Sequence, residues 1–330
     1  MKVTKLIIGL CAISVLSCQS PNPMGKASVT VRVVDQDGMP VSGAEVRGGF
    51  EYTDYDGDSY KVLTDTNGVI SASGRLMSIF NCIVKKDGYY ESVEVLRWKE
   101  AYPNAELKYG KWHPWNPTIE IVLKEKKNPI PLYCRQVIRT NIPVIGKKIG
   151  YDLFEGDWVS PYGTGHVSDF IVSATNDYRE IKDYDVDYSI TFSQSEDGLI
   201  PFDKPKYGSR LVSNQSAPED GYLNEWAWEY GRKGDEGLYN TSDSTDVNYY
   251  FRIRTKVDES GKIISAYYGK IYEGIEVRIN RDGSLNLSFN YYLNTTSLDR
   301  NVEYDGKNNL AKEAAAPGER GNSVYSVNQP

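Results

Sequence analysis

The feature that most constrains the fold is a set of tight-turn dipeptides between short runs of alternating apolar and polar residues. Three of them, Asp37-Gly38, Asn67-Gly68 and Asp87-Gly88, fall in the first third of the chain. Glycine supplies the positive φ of a tight turn, and alternation with a period of two is typical of half-buried strands. The pattern predicts an all-β fold. The one stretch that suggests a helical turn is GYLNEWAWEY, residues 221–230.

Four segments of the first 125 residues follow one another in a specific order. They are VVDQDGMPVSGAEV (33–46), TDTNG (64–68), VKKDGY (84–89) and EIVL (120–123). In this order they resemble the carboxypeptidase regulatory-like domain, over residues 27–125. The resemblance implies a seven-stranded β-sandwich of transthyretin-like topology and a non-catalytic module. The insertion RWKEAYPNAELKYGKWHPWNPT (97–118) is longer than the family usually carries.

The first 17 residues have the layout of an export signal. Lys2 and Lys5 precede an apolar run, Leu6 to Leu16, that is far shorter than the roughly 20 residues needed to span a bilayer. The run ends in VLSC, which resembles the bacterial lipobox and would make Cys18 the lipidated amino terminus. An ordinary signal cleaved nearby is the alternative. Residues 18–26 then form a polar tether.

Charge and composition limit the partners of the chain. The net charge of -7 falls to about -9 once the two leader lysines are removed, and the basic residues are scattered, with KEKK (124–127) as the only run. Nucleic acid and anionic membrane faces are polyanions that require clustered Lys and Arg, so neither is expected as a partner. The 26 tyrosines and 29 glycines are typical of a β-protein with many turns.

The second half predicts a further antiparallel β-domain over residues 133–310. It follows a proline-containing linker, 126–132, and precedes a small, polar tail, 311–330, which we expect to be flexible. Alternation at 185–192, 249–256 and 285–291, together with the turn Arg281-Asp282-Gly283-Ser284, predicts consecutive hairpins of a meander. The residues of this half resemble no family known to us.

The residues that usually carry catalysis are few. The two histidines, His113 and His166, lack the spacing of a zinc site, and His166 does not form a preassembled triad with Ser168 and Asp169, because neighbours on a strand point to opposite faces. The carboxylates of TDYDGDSY (53–60), Asp54, Asp56 and Asp58, favour an acidic turn over a calcium loop. We therefore predict no catalytic residue, no metal and no cofactor.

Two cysteines remain after the leader and Cys18 are set aside. Cys82 lies in the apolar strand pattern SIFNCIV, and Cys134 follows the linker. An exported protein permits a disulfide between them, but the strand pattern around Cys82 also fits a buried thiol, so the pairing stays open at this level.

Four tryptophans are candidates for ligand stacking. Trp112 and Trp115 lie in the insertion, and Trp226 and Trp228 are spaced to share one strand face. Exposed indole rings stack on the apolar faces of sugars, whereas buried ones close a sandwich core. Both interpretations stay open at this level.

These patterns favour a non-enzymatic lipoprotein of the cell envelope that binds a ligand or partner, with polysaccharide preferred over another envelope protein. Gln19 after Cys18 indicates the outer membrane, on its periplasmic or surface face. The alternatives are a glycan hydrolase with paired carboxylates in the second domain and a purely structural surface protein.

Overall fold

The structure is a computed structural model that describes residues 24–51, 57–203, 208–240, 247–311 and 329–330. Asp54 and Asp56 of the acidic segment lie outside the described residues. Asp58 lies in a strand and accepts hydrogen bonds from the backbone and guanidinium of Arg75.

Among its described residues, the first half of the chain contains nine strands and one short helix. The helix is α1 (Trp98–Ala101), and the strands are β1 (Gly25–Asp35), β2 (Glu45–Glu51), β3 (Gly57–Leu63), β4 (Val69–Leu76), β5 (Ile79–Lys85), β6 (Ser92–Arg97), β7 (Glu106–Lys108), β8 (Lys111–His113) and β9 (Thr118–Leu123). The insertion supplies α1, β7 and β8, which leaves the seven strands that the resemblance implies.

The second half contains thirteen strands among the described residues, with a 3₁₀ turn at Gly234–Glu236. The strands are β10 (Ile130–Asn141), β11 (Ile149–Asp152), β12 (Asp157–Trp158), β13 (Phe170–Glu180), β14 (Asp183–Thr191), β15 (Gly198–Asp203), β16 (Gly208–Ser209), β17 (Glu225–Lys233), β18 (Gly237–Asn240), β19 (Val247–Val257), β20 (Ile263–Ile279), β21 (Leu285–Leu293) and β22 (Tyr304–Asn309). The all-β prediction is confirmed.

The chain divides into two compact units. The smaller comprises the residues through Val33, Pro40–Ile83 and Glu94–Glu120, and the larger comprises Val34–Met39, Val84–Val93 and Ile121–Pro330.

The strands of the first half form two sheets. One has the order β4-β1-β8-β7, with β9 also paired to β1, and the other runs β6-β5-β2-β3, with β16 paired to Ser92 and Val93. The predicted turns join these strands, and Gly38, Gly68 and Gly88 have φ of 78°, 73° and 83°. A side chain at Gly68 would place its Cβ 2.4 Å from the Val33 carbonyl oxygen, so the turn requires glycine on both counts.

The larger unit is a sandwich of two six-stranded sheets, with orders β15-β19-β20-β21-β10-β22 and β12-β11-β13-β14-β17-β18. Alternate residues of both sheets point inward and form one aromatic-rich core that includes Phe170, Tyr188, Phe251 and Phe289. Strands β19, β20 and β21 pair antiparallel in sequence order, which confirms the meander. The helical turn expected within 221–230 is wrong, because β17 occupies it: Glu225, Ala227 and Glu229 face solvent alternately with the tryptophans.

The predicted linker is fixed by hydrogen bonds inside the larger unit. The backbone N–H groups of Lys127 and Asn128 donate to the carboxylate of Glu303, and Ile130 already begins β10. Glu303 is fully buried and also accepts a 2.9 Å hydrogen bond from the Tyr90 hydroxyl. Three donors therefore satisfy a carboxylate that would otherwise be costly to bury.

Candidate functional site

The four candidate tryptophans lie in different environments. Trp112 is buried, with 1% of its surface exposed, and its indole N–H donates to the Leu76 carbonyl. Trp228 is 6% exposed and belongs to the sandwich core of the larger unit. Neither ring offers a free face to a sugar, so their burial favours the core alternative.

Trp226 and Trp115 are more accessible. Trp226 is half-buried, stacks on Trp228 at 6.2 Å between ring centroids and contacts the edge of Tyr249. Trp115 is 39% exposed, with the Lys111 ammonium 5.0 Å from its ring centroid. Of the four predicted stacking residues, Trp115 is the one that presents substantial ring surface to solvent.

The histidines do not contribute to a shared site. His166 is exposed in the loop before β13, and His113 is half-buried in β8. Within the described ranges, His, Cys, Asp and Glu side chains form no group of three or more that could hold a metal ion.

A cluster that sequence reasoning missed lies in the larger unit, where Arg254 bridges two buried carboxylates. Its guanidinium is 2.7 Å from Asp169 and 2.7 Å from Asp152, whose side chains are 0% and 3% exposed. The same guanidinium lies over the ring of Phe154, 4.3 Å from the centroid. These residues are 85 and 102 positions apart from Arg254 in the sequence, so no local motif could reveal them.

The backbone of Arg254 adopts a left-handed conformation, which is uncommon for a residue other than glycine. It has φ of 54° at a register shift in β19, and its N–H donates to the buried carboxylate of Asp197. Left-handed backbone is costly for a residue other than glycine. The bulge and the hydrogen bond to Asp197 hold it there and direct the side chain to the two aspartates.

The carboxylates of this cluster are fully engaged. Asp169 also accepts the N–H of Leu153, and Asp152 accepts those of Phe154, Glu155, His166 and Val167. Burial raises the pKa of Asp169, with Arg254 opposing the shift. Burial also acts to raise the pKa of Asp152, but the backbone N–H groups and Arg254 outweigh it and leave that pKa below its ordinary value.

This arrangement is that of a structural ion-pair network. A glycosidase pair needs one carboxyl group that delivers a proton and another that reaches the substrate or a water molecule. Here one cation and several backbone donors occupy both carboxylates. A neighbouring cleft of about 710 Å³ is lined by Asp169, Asp197 and Arg254, whose polar groups are directed at one another and at backbone.

A second buried charge lies on the other face of the meander. Lys270 is fully buried, 3.1 Å from the Ser213 hydroxyl, with its ammonium group over the rings of Tyr272 and Tyr292. Burial lowers its pKa to about 7. The amine is fully buried and so cannot meet a substrate.

The cysteines are separate and buried. Cys82 lies in β5 and Cys134 in β10, and both are free thiols. Burial raises the pKa of Cys82 to about 12, so the thiol is not activated. Both cysteines are therefore buried thiols that are not bonded to each other, which answers the question that the sequence left open.

A cleft of about 730 Å³ in the larger unit has the chemistry of a polar binding surface. We call it the amide cleft. Strands β10 and β21 and the turn between β20 and β21 supply most of its lining, which includes Arg139, Asn141, Asn280, Arg281, Ser284 and Asn286. Sequence reasoning missed it because Arg139 of β10 and Arg281 of the β20–β21 turn are 142 positions apart (281 − 139) and are brought together only by the pairing of β10 with β21.

The amides of this cleft are held in a fixed orientation. Asn286 donates to the side chain of Asn280 at 3.0 Å, and Asn280 donates to the Ser284 hydroxyl at 2.8 Å. Arg139 has φ of 46° at the β10 bulge, where its N–H donates to the Ser288 hydroxyl. Planar amides and guanidinium groups thus share one concave surface, which suits a ligand rich in hydroxyl groups.

Comparison with known proteins identifies no family. No family model matches the chain, and no curated protein matches it. The resemblance to the carboxypeptidase regulatory-like domain accordingly stays a prediction from its motifs. Among the described residues, no helix is sufficiently long and apolar to cross a membrane.

Solved structures share only distant likeness with the chain. A 3-chlorocatechol 1,2-dioxygenase from Rhodococcus opacus is 14% identical at a TM-score of 0.24, covering 31% of this chain and 61% of its own. The shaft pilin SpaA of Lactobacillus rhamnosus is 9% identical at 0.23, covering 76% and 94%. A DUF3823 family protein from Parabacteroides merdae is 8% identical at 0.20, covering 82% and 99%. At these TM-scores the neighbours carry no argument about function.

Proposed function

We propose that the protein is a non-catalytic lipoprotein of the bacterial envelope, anchored through Cys18, that binds a glycan in the amide cleft of its larger unit. The observation that carries the proposal is the cleft itself, in which the oriented amides of Asn280 and Asn286 lie beside Arg139 and Arg281. Hydroxyl-rich ligands need directional donors and acceptors, and these side chains provide both.

The non-catalytic part of the proposal rests on the state of the buried polar groups. Asp152 and Asp169 are occupied by Arg254, and Lys270 is enclosed. The hydrolase alternative requires a carboxylate pair facing a cleft with free oxygen atoms. In the part of the chain that the structure describes, the buried carboxylates lining the 710 Å³ cleft are Asp169, which is bound to the Arg254 guanidinium, and Asp197, which accepts the backbone N–H groups of Arg254 and Thr255.

The anchor is supported by the leader and the cysteine that ends it. We expect the wild-type chain to incorporate a labelled fatty acid and to fractionate with the outer membrane. Cys18→Ala should appear in the soluble fraction with an unchanged circular dichroism spectrum, because Cys18 precedes the first strand, which begins at Gly25. An unlabelled wild-type chain would refute the anchor and leave the cleft to be judged separately.

The cleft is tested by glycan-array screening of the mature chain, followed by titration of each glycan that is bound. We expect the double variant Arg139→Asn/Arg281→Ala to weaken binding by about tenfold or more for each guanidinium, since a hydrogen bond to a charged group contributes about 1.5–3 kcal/mol. Asparagine is chosen at 139 because it tolerates left-handed backbone.

The matched control for the cleft is Arg210→Ala, which removes an exposed arginine that does not line it. Unchanged binding in this control together with loss in the double variant would support the assignment. An equal loss of glycan affinity in the control and in the double variant would show that the loss results from the change in net charge and not from the cleft. Turnover of a bound glycan, abolished by replacing a single Asp or Glu, would move the protein to the hydrolase class.

A further inference from the structure

We propose that the β7–β8 hairpin of the insertion rests on the membrane surface and contacts anionic lipid headgroups. This inference rests on the anchor in the proposed function and adds a second membrane contact. The membrane-facing patch, as we define it, consists of Met24, Lys26, Lys108, Tyr109, Lys111 and Trp115, all of which belong to the smaller unit.

The position of the hairpin follows from its pairing with the first strand. Strand β8 runs parallel to β1 with Lys111 opposite Lys26, and the Lys26 N–H donates to the Gly110 carbonyl at 2.8 Å. Gly110 and Tyr109 form the hairpin turn. The tip of the insertion therefore lies beside the residue at which the described chain begins.

The length of the tether then limits the distance between this tip and the lipid. Seven residues, Cys18 to Met24, separate the predicted lipid attachment from β1. A fully extended chain spans at most about 3.5 Å per residue, which gives roughly 25 Å. Since the tip lies within hydrogen-bonding distance of Lys26, a tether of this length keeps the tip within reach of the bilayer surface.

The side chains at this end have the chemistry of a membrane interface. Tyr109 is fully exposed at the turn with φ of 50°, while Met24 is 51% and Trp115 39% exposed. Tyrosine and tryptophan are enriched at headgroup depth, where an apolar ring and a polar tip are both accommodated. A fully exposed aromatic ring on strained backbone is not stabilised by packing in solution, whereas contact with lipid would bury the ring.

The charge of the patch is opposite to that of the whole chain. Lys26 from β1 and Lys108 and Lys111 from the hairpin are brought together, and the nearby Glu106 pairs with Lys108. The lysines are scattered along the sequence, which argued against a basic cluster, but residues distant in sequence can be neighbours in the folded protein. Folding creates a local one, and each lysine near an anionic surface strengthens association by about fivefold.

The buried base of the hairpin keeps the patch in place. Trp112 packs in the core directly after Lys111 and donates its indole N–H to Leu76, whose strand partner is Gly25. The hairpin is thus bonded to β1 through Lys26 and to β4 through Leu76. Its tip consequently keeps a fixed orientation relative to the start of β1.

In the experiment, a fluorescent probe is attached to Tyr109→Cys in the mature chain, which begins at residue 19. An amino-terminal histidine tag tethers this chain to vesicles through a nickel-chelating lipid. The vesicles also contain phosphatidylglycerol and a headgroup nitroxide quencher. Cys82 and Cys134 are buried and should not react. The matched control is Thr66→Cys, exposed in the turn before β4, at the opposite end of β1. Because the tag supplies the tether, failure of Cys18 lipidation and failure of hairpin contact are separate results.

We expect the probe at 109 to be quenched at least threefold more than the probe at 66, and replacement of Lys26, Lys108 and Lys111 by glutamine to remove most of the difference. Equal quenching at both sites would overturn the proposal. Quenching at 109 that is unchanged in vesicles without phosphatidylglycerol would overturn the anionic-headgroup assignment.

Discussion

Replacing Arg254 with methionine should lower the free energy of unfolding by about 3–5 kcal/mol, because it leaves two buried carboxylates without their cation. Asp152 and Asp169 are 3% and 0% exposed, and both are within 2.7 Å of the guanidinium. Methionine keeps the contact with Phe154 and removes the charge. Urea denaturation of the purified mature chain, monitored in the transition of the larger unit, measures the change.

The pH dependence of this variant follows from the same contacts. Without Arg254 the pKa values of both aspartates rise, so the folded state takes up protons more readily as pH falls. The loss of unfolding free energy in Arg254→Met should therefore be largest at neutral pH and smaller near pH 4. Asp169→Asn in the Arg254→Met background should restore part of the stability, since an amide can still accept the Leu153 N–H.

Arg179→Met is the control for exposure. Arg179 also pairs with three aspartates, Asp177, Asp183 and Asp185, but on a solvent-exposed surface. Water and salt screen such pairs, so little change is expected. Equal destabilisation by the two arginine variants would contradict the view that burial makes the Arg254 network important.

Trp228→Ala should lower the stability of the larger unit by about 3–5 kcal/mol, the cost of a large cavity in a packed core. The ring of Trp228 stacks on Tyr188 at 5.1 Å and contacts Tyr249 and Trp226. The same denaturation assay measures the loss. Tyr162→Ala, which removes an aromatic ring of the larger unit that is 42% exposed, is the matched control and should change stability by less than about 1 kcal/mol.

A double variant distinguishes the core and stacking interpretations of Trp226 and Trp228. If Trp226→Ala with Trp228→Ala unfolds or strongly destabilises the chain, the pair is core. A variant of full stability that loses glycan affinity would instead assign the pair to a stacking site and displace the amide cleft as the binding surface.

The sequence predicts what depends on neighbouring residues. The turns at Gly38, Gly68 and Gly88 need positive φ, and the strands around them alternate, so both are visible in a short window. The same reasoning failed at β17, where a suspected helical turn is a strand, because EWAWEY places its aromatic residues on one inward face through tertiary packing.

The candidate sites depend on residues that are distant in sequence, and for that reason they could not be predicted. Arg254 reaches Asp152 across 102 positions, and the amide cleft joins Arg139 of β10 to Arg281. Tryptophan burial illustrates the same limit. Trp112 and Trp115 are three residues apart in one insertion, yet the first is enclosed and the second is open to solvent.

The hydrogen bond between Tyr90 and Glu303 affects the order in which the chain can fold during synthesis. The two residues are 213 positions apart, and at about 5–20 residues per second a ribosome needs on the order of 10–40 s to travel from one to the other. Residues 84–93, which belong to the larger unit, must wait that long for the carboxylate that accepts the Tyr90 hydroxyl. Until Glu303 has been synthesised, the Tyr90 hydroxyl lacks this acceptor and residues 84–93 cannot complete their packing in the larger unit.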